Sequence, residues 1–290
     1  MREIVQIKSI EARRIIGQLN RMNLDKVEYN YIKNLIARLT VGLKMRGVTP
    51  HMDSRLYRGV VFREKPSKVG FLGYPPASIV TNFQRCNPPS NPMFYCSVDP
   101  SAIYYELGVQ PGDKVFLSKW SVSQEFFINR IAPPDEDDMS DLVRDIVLTF
   151  FETKFSQPIH ETYSSQYKIT SAISEKLSSG ELIGDHRVIG AVSYPSVVHP
   201  SRSENLAIRT AVVDKCLQLD YVEEILVTNV QGNTISVDRT DFSSNFDGDN
   251  IIWTGKPIHW TMGPGTKLVV TAEPDGWIAR DENGNVVNPG

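Results

Sequence analysis

Cysteine is scarce in this chain of 290 residues: Cys86, Cys96 and Cys216 form an odd set with no paired spacing and no zinc-ligand pattern. A disulfide framework is excluded, and a reducing compartment is expected. Long apolar runs are missing too. None approaches the ~18 residues of a membrane-spanning helix, and the opening MREIVQIKSIEARR has no apolar core of signal-peptide length. A cytoplasmic protein without membrane association is therefore expected. Nor is there an excess of positive charge. The formal net charge of −3 argues against a nucleic-acid binder working by broad phosphate neutralisation. The five histidines, His51, His160, His186, His199 and His259, show no metal-ligand spacing, so no metal is expected. Neither a P-loop nor a dinucleotide-type glycine loop occurs, and there are no internal repeats or low-complexity tracts.

The composition is that of an ordinary globular protein, 41% apolar and 22% charged, enough for a core without staples. Charge is unevenly placed. Residues 1–50 hold ten Lys/Arg against four Asp/Glu, a net +6, so with −3 overall the remaining residues carry −9. A basic helical arm fits an acidic partner surface, packing on the acidic body, or a solvated face.

Residues 1–47 read as two helices. In the second, Asp25 and Glu28 resemble a capping box, Ile32, Leu35, Ile36, Leu39 and Leu43 share one face, and Gly47 follows Lys44 and Arg46 as a stop. Strands are expected at Arg55–Phe62, Met93–Ser97, Lys114–Val122, Phe126–Ile131 and Val188–Tyr194, with a Pro/Asn/Ser-rich loop from Pro66 to Pro92. Asp99 and Pro100 open a short helix over Ser101–Leu107 that ends at Gly108. Further helices are expected near Met139–Phe155, capped by the acidic run Asp135–Asp138, and over roughly Glu161–Ser178. Beyond residue 220, β-branched runs alternate with Gln231-Gly232, Asp247-Gly248 and Asn283-Gly284, the mark of hairpins. The resulting picture is α+β, with a mixed, mostly antiparallel β body. It divides into an N-terminal helical extension (1–50), a core (51–220) and a β-rich C-terminal part packed on the core (221–290).

Three blocks, in order, carry a family resemblance. The first is Leu56-Tyr57-Arg58. The second runs through Gly73-Tyr74-Pro75-Pro76, Arg85-Cys86-Asn87-Pro88-Pro89, Phe94-Tyr95 and Asp99-Pro100-Ser101-Ala102 to Glu106. The third comprises Tyr163-Ser164-Ser165-Gln166, Val192-Ser193-Tyr194-Pro195-Ser196 and Asn205-Leu206. Together they resemble the RES family, named for its Arg, Glu and Ser, over roughly residues 55–215. Gln84 stands where members usually have Gly, Cys86 where a small residue is common, and Ser101 where Thr is common. The resemblance implies a fold related to the ADP-ribosyltransferases and an enzyme that binds NAD as substrate and cleaves its nicotinamide–ribose bond by hydrolysis or phosphorolysis. It also implies a toxin or defence effector restrained by a cognate antitoxin protein.

Such a reaction needs a grip on pyrophosphate, a pocket for nicotinamide, and stabilisation of an oxocarbenium-like ribose. Glu106 is the candidate for the last task; otherwise it is a solvated residue at a helix end. Arg58 and Arg85 are the candidate pyrophosphate clamp, since guanidinium offers a rigid fork of donors. Arg58 lies in an apolar strand and needs an anionic partner, either a protein carboxylate or the ligand. Arg85 sits in a loop where plain exposure is the alternative. Tyr57 and Tyr95 are candidate stacking faces, with core packing equally open to Tyr57. Ser196, counted with Glu106 and Arg58 in the catalytic set, and Asn205 are polar supports near ribose or phosphate. No G-x-S-x-G turn surrounds Ser196, so it is not read as a hydrolase nucleophile, and His199 is a minor candidate for a base. The alternatives are ADP-ribosyl transfer to a protein, which would use the same groups, and a non-catalytic binding module, which the presence of Arg58, Arg85 and Glu106 disfavours. The N-terminal helices could hold an antitoxin, a target or a second copy of the chain.

Overall fold

The computed structural model describes residues 6–43, 45, 47–52, 54–132, 141–179, 182–183, 187–255, 267–273 and 276–287. Two amphipathic helices come first, α1 (Ser9–Asn20), burying Ala12, Ile15 and Leu19, and α2 (Tyr29–Leu39), burying Ile32, Leu35, Ile36 and Leu39. The expected capping box does not form. Glu28 is the N-cap residue and makes no side-chain cap bond, while the Asp25 carboxylate accepts from the Ser165 hydroxyl. The helix also ends earlier than Gly47, at Leu39. Gly42 then takes a φ of 69°, a left-handed conformation that suits glycine. Lys44 and Arg46 lie outside the described residues.

Next come β1 (Gly47–Val48), β2 (Arg55–Val61), a long loop with two 3-10 turns, β3 (Met93–Ser97), α3 (Pro100–Leu107), β4 (Lys114–Val122) and β5 (Phe127–Arg130). Helix α4 (Leu142–Phe155) is capped by Asp141, whose Oδ1 accepts from the amides of Val143 and Arg144; the acidic run Asp135–Asp138 lies outside the described residues. A 3-10 turn at Glu161–Tyr167 leads into α5 (Lys168–Leu177). There follow β6 (Leu182–Ile183), β7 (Arg187–Pro195), β8 (Glu204–Arg209), α6 (Thr210–Cys216), β9 (Leu217–Gln231) and β10 (Thr234–Ser243). The chain closes with the small hairpin β11 (Phe246–Asp247) and β12 (Asn250–Ile251), then β13 (Lys267–Glu273), β14 (Gly276–Arg280) and β15 (Val286–Val287). Hairpin turns stand at all three expected dipeptides, with Gly232, Gly248 and Gly284 at positive φ.

Among the described residues, thirteen strands share one sheet in the order β1-β5-β7-β8-β3-β2-β4-β9-β10-β13-β14-β15, with β6 beside β7. Among the described residues only β5 and β7 pair in parallel. The chain is thus α+β with a large, mostly antiparallel sheet. Helices α4 and α5 lie against β7, and α1 and α2 pack on them, in one apolar cluster that holds Ile15, Ile36, Phe151, Ile173, Val192 of β7 and Ala207 of β8. On the other side Phe94, Trp120 and Leu206 pack with Val212 and Val213 of α6. A third cluster joins Ile103 and Tyr104 of α3 to Val115, Leu117, Ile225 and Val237. Strand β9 crosses position 220 and pairs with β4 from Leu217 to Leu226, so the C-terminal strands continue the sheet.

Two local features shape the centre. Strand β2 pairs with β4 over its whole length, and β3 pairs with β8 throughout, but β2 and β3 share a single pair, Tyr57 with Ser97. The ladder is interrupted there, and the interruption leaves room for side chains. Gly59 of β2 lies directly beneath α3: a Cβ at this position would stand 2.3 Å from Ile103 Cγ2 and 2.9 Å from Leu107 Cδ1. Glycine is what lets α3 approach β2 so closely.

Candidate active site

A cavity of about 590 Å³ opens beside this interruption, lined by five of the residues singled out from the sequence: Arg58, Arg85, Tyr95, Glu106 and Asn205. They come from β2, the loop before β3, β3, α3 and β8. Ser196 is fully buried and reaches the site from behind. Tyr57 is not at the cavity. Neighbours on a strand face opposite ways, and Tyr57 packs with Tyr104, Leu117 and Tyr221, away from the cavity that Arg58 lines.

Glu106 sits in the last turn of α3. That helix begins where Asp99 Oδ1 accepts from the Ser101 amide at 2.9 Å and ends at Gly108, with φ 58°. Glu106 Oε1 accepts from Ser196 Oγ at 2.6 Å and from Asn205 Nδ2 at 2.6 Å. Ser196 Oγ in turn accepts from the backbone amides of His199 at 3.0 Å and Val198 at 3.3 Å. Those amides occupy the oxygen and direct its one proton to Glu106. Ser196 is therefore a donor to the carboxylate, and its hydroxyl is not placed as a nucleophile. Among the described residues Oε2 has no partner, and Glu106 itself is exposed, so one edge of the carboxylate is presented to the cavity.

Arg58 fills the gap in the ladder. Its Nη1 donates to the Tyr95 carbonyl at 2.8 Å, Nε donates to the carbonyls of Gly73 at 2.9 Å and Leu72 at 3.2 Å, and the guanidinium lies over Phe94 at 5.2 Å from the ring centroid. Among the described residues no carboxylate pairs with it. Burial lowers its pKa to about 10, which still leaves the group charged at neutral pH. Among the described residues, then, no carboxylate supplies the anionic partner expected from the sequence; backbone carbonyls engage part of the fork and the rest borders the cavity.

Arg85 Nη1 donates to the carbonyls of Phe155 at 2.6 Å and Gln157 at 3.3 Å, just past the end of α4, where a cation suits the helix dipole. Its guanidinium also lies 5.4 Å from the centroid of Tyr167. The Arg85 loop is pinned by Tyr95, whose hydroxyl donates to Asn87 Oδ1 at 2.6 Å and accepts from the Cys86 amide at 3.0 Å. Burial raises the Tyr95 hydroxyl well above its ordinary pKa, so it stays protonated.

Phe83 and Tyr167 also wall the cavity, and sequence reading misses both. Each stands next to a quoted block, Phe83 two residues before Arg85 and Tyr167 directly after Gln166, and that adjacency of aromatic rings was the available signal. Phe83 is held edge-on by Tyr29 of α2, with ring centroids 4.9 Å apart, and by the Lys168 ammonium. Helix α2 thus supports one wall of the cavity. Among the described residues no cluster of His, Cys, Asp and Glu could hold a metal ion, and no helix is long and apolar enough to cross a membrane. Chemically, the cavity offers fixed cations, flat aromatic walls and one oriented carboxylate. No family model matches the chain, and no curated protein matches it.

Proposed function

We propose that this protein cleaves the nicotinamide–ribose bond of NAD, as a glycohydrolase or phosphorylase with an ADP-ribosyltransferase-like fold of the RES kind. One observation carries the reading: a single cavity holds a guanidinium with no carboxylate partner among the described residues and a carboxylate with an open edge. NAD supplies the complement of both, an anionic pyrophosphate and a positively charged nicotinamide–ribose unit. The cavity's 590 Å³ falls within the range of roughly 300–1,000 Å³ usual for small-molecule sites.

In this mechanism Arg58 and Arg85 hold the pyrophosphate, and the rings of Phe83, Tyr95 and Tyr167 offer flat faces to the bases. Glu106 Oε2 meets the ribose hydroxyls. As the bond from C1′ to the nicotinamide nitrogen breaks, its electron pair leaves with the ring, which becomes neutral and needs no acid. The ribose is left electron-poor, and the Glu106 charge stabilises it. Water or phosphate then forms the new C1′–O bond; with water, its proton passes to solvent. Ser196 and Asn205 hold the carboxylate ready beforehand, so little reorganisation is needed during the step.

The same groups would serve transfer of ADP-ribose to a protein, and the open Glu106 edge does not choose between nucleophiles. Consumption of NAD would make the protein a toxin or defence effector with a cognate antitoxin as partner. Incubation with NAD, with and without phosphate and read by mass spectrometry, tests the reading. Free nicotinamide with ADP-ribose or its phosphate is expected, and NAD left whole at high enzyme concentration would sink it.

A further inference from the structure

Behind Glu106, on the side away from the cavity, a buried histidine joins the two pieces of chain that set the carboxylate. His199 is 2% exposed and lies in the turn between β7 and β8. Its backbone amide donates to Ser196 Oγ at 3.0 Å. Its ring meets Tyr105 edge-on, with centroids 5.1 Å apart. Nε2 stands 3.1 Å from Ser101 Oγ, and Nδ1 stands 2.8 Å from Ser201 Oγ. Ser101 and Tyr105 are four residues apart and share one side of α3. One residue therefore braces both the helix that carries Glu106 and the serine that donates to it.

The hydrogen bonds also assign the protons. Asp99 Oδ1 takes the Ser101 hydroxyl proton at 2.7 Å, so Ser101 Oγ must receive a proton from His199 Nε2. Burial lowers the His199 pKa, while Asp99, whose Oδ2 stands 3.8 Å from Nε2, and Glu106 pull against it. In the neutral ring that burial favours, the one proton is on Nε2 and Nδ1 accepts from the Ser201 hydroxyl. With its side chain out of contact with solvent and both nitrogens engaged by serines, His199 is not placed to touch a ligand.

We propose that His199 is a positioning residue for Glu106. Its neutral, Nε2-protonated imidazole fixes α3 and the 196–201 turn against each other, so that Oε1 stays on Ser196 and Asn205 while Oε2 faces the cavity. The inference rests on the reading of Glu106 as the group that meets the ribose.

Two variants test it, His199→Phe, which keeps a ring against Tyr105 without nitrogens, and His199→Gln, which can return a donor to Ser101. Each is assayed for NAD cleavage, and His199→Phe is also crystallised. The expected kcat of His199→Phe is lower on the order of 10- to 100-fold, with KM within about twofold, because a small misplacement at the reacting centre costs rate before binding. His199→Gln should recover part of the loss. In the crystal, Glu106 should have left Ser196 and Asn205. A folded His199→Phe with wild-type kcat, or with Glu106 still on both donors, overturns the proposal. Should His199→Phe not fold, His199→Gln is crystallised in its place: Glu106 kept on both donors together with the Ser101 bond, or lost together with it, supports the proposal, and Glu106 kept without that bond, or displaced while it is kept, overturns it. If wild type leaves NAD intact, the NAD reading falls on its own. The position of Glu106 in the variant crystal then decides the positioning role.

Discussion

The side-chain amide of Asn205 donates to Glu106 Oε1 at 2.6 Å, tying β8 to the last turn of α3 across 99 residues of chain. With Ser196 on the same oxygen, that edge of the carboxylate is fully occupied and only the other can meet a ligand. In Glu106→Gln the side-chain oxygen can still accept from both donors, which turns the neutral amide nitrogen toward the cavity. The shape survives and the charge does not. The rate of nicotinamide release should drop on the order of 100-fold, while NAD affinity, read by calorimetry, changes little. Near wild-type turnover would return Glu106 to the status of a helix-end residue.

Arg85 has two tasks, closing the end of α4 and bordering the cavity. Arg85→Ala should weaken NAD binding by roughly 1.5–3 kcal/mol, the usual contribution of a hydrogen bond to a charged group. Arg85→Lys should recover part of this, since the charge returns without the planar fork that lies over Tyr167. Equal affinities for all three proteins, measured by titration calorimetry, would leave Arg85 a structural cap alone.

Gly59 governs how near α3 lies to β2. Gly59→Ala puts a methyl group where Ile103 Cγ2 and Leu107 Cδ1 already stand, so the helix must move outward and carry Glu106 with it. A stability loss of about 1–3 kcal/mol is expected in urea unfolding, together with slower turnover. Adding Ile103→Leu removes the nearer methyl branch and should restore part of both. No change in either quantity would show that the close approach matters less than its geometry implies.

The His199 pKa is lowered in the folded protein, and this sets a sign for the pH dependence of stability. As pH falls through the ordinary histidine value of ~6.5, the unfolded chain takes up the proton first. Stability held above that value is therefore lost on the way down toward the folded pKa. His199→Gln cannot titrate. The gap between wild type and His199→Gln in unfolding midpoint should move in favour of the variant between about pH 7.5 and about pH 5.5. A gap independent of pH would mean that His199 does not titrate differently on folding.

What can be read from the sequence depends on how many neighbours decide it. Helix α3 is legible because Asp99, Pro100 and Gly108 settle both ends locally, and β3 because Met93–Ser97 is bounded by turn residues. The start of α2 is not, since Asp25 is drawn to Ser165, a partner 140 residues away. The grouping of Arg58, Arg85, Tyr95, Glu106 and Asn205 follows the motif pattern, but which faces they share depends on strand order. Nothing in a period-two pattern says that β2 and β3 meet at one pair only, so the side on which Tyr57 lies and the reach of Arg58 into the gap stay hidden. Phe83 and Tyr167 enter through loop packing, which has no period at all.

The pairing of β9 with β4 governs where the molecule can be cut. Nine residue pairs join the two strands, from Lys114 with Leu226 to Val122 with Leu217. Ending the chain near 220 would leave three of those pairs, at Trp120, Ser121 and Val122, and bare the backbone of β4 from Lys114 to Lys119, an edge ready to recruit strands from other molecules. Shortened versions made to isolate the cavity would then be expected to aggregate, although every residue lining that cavity lies before position 206.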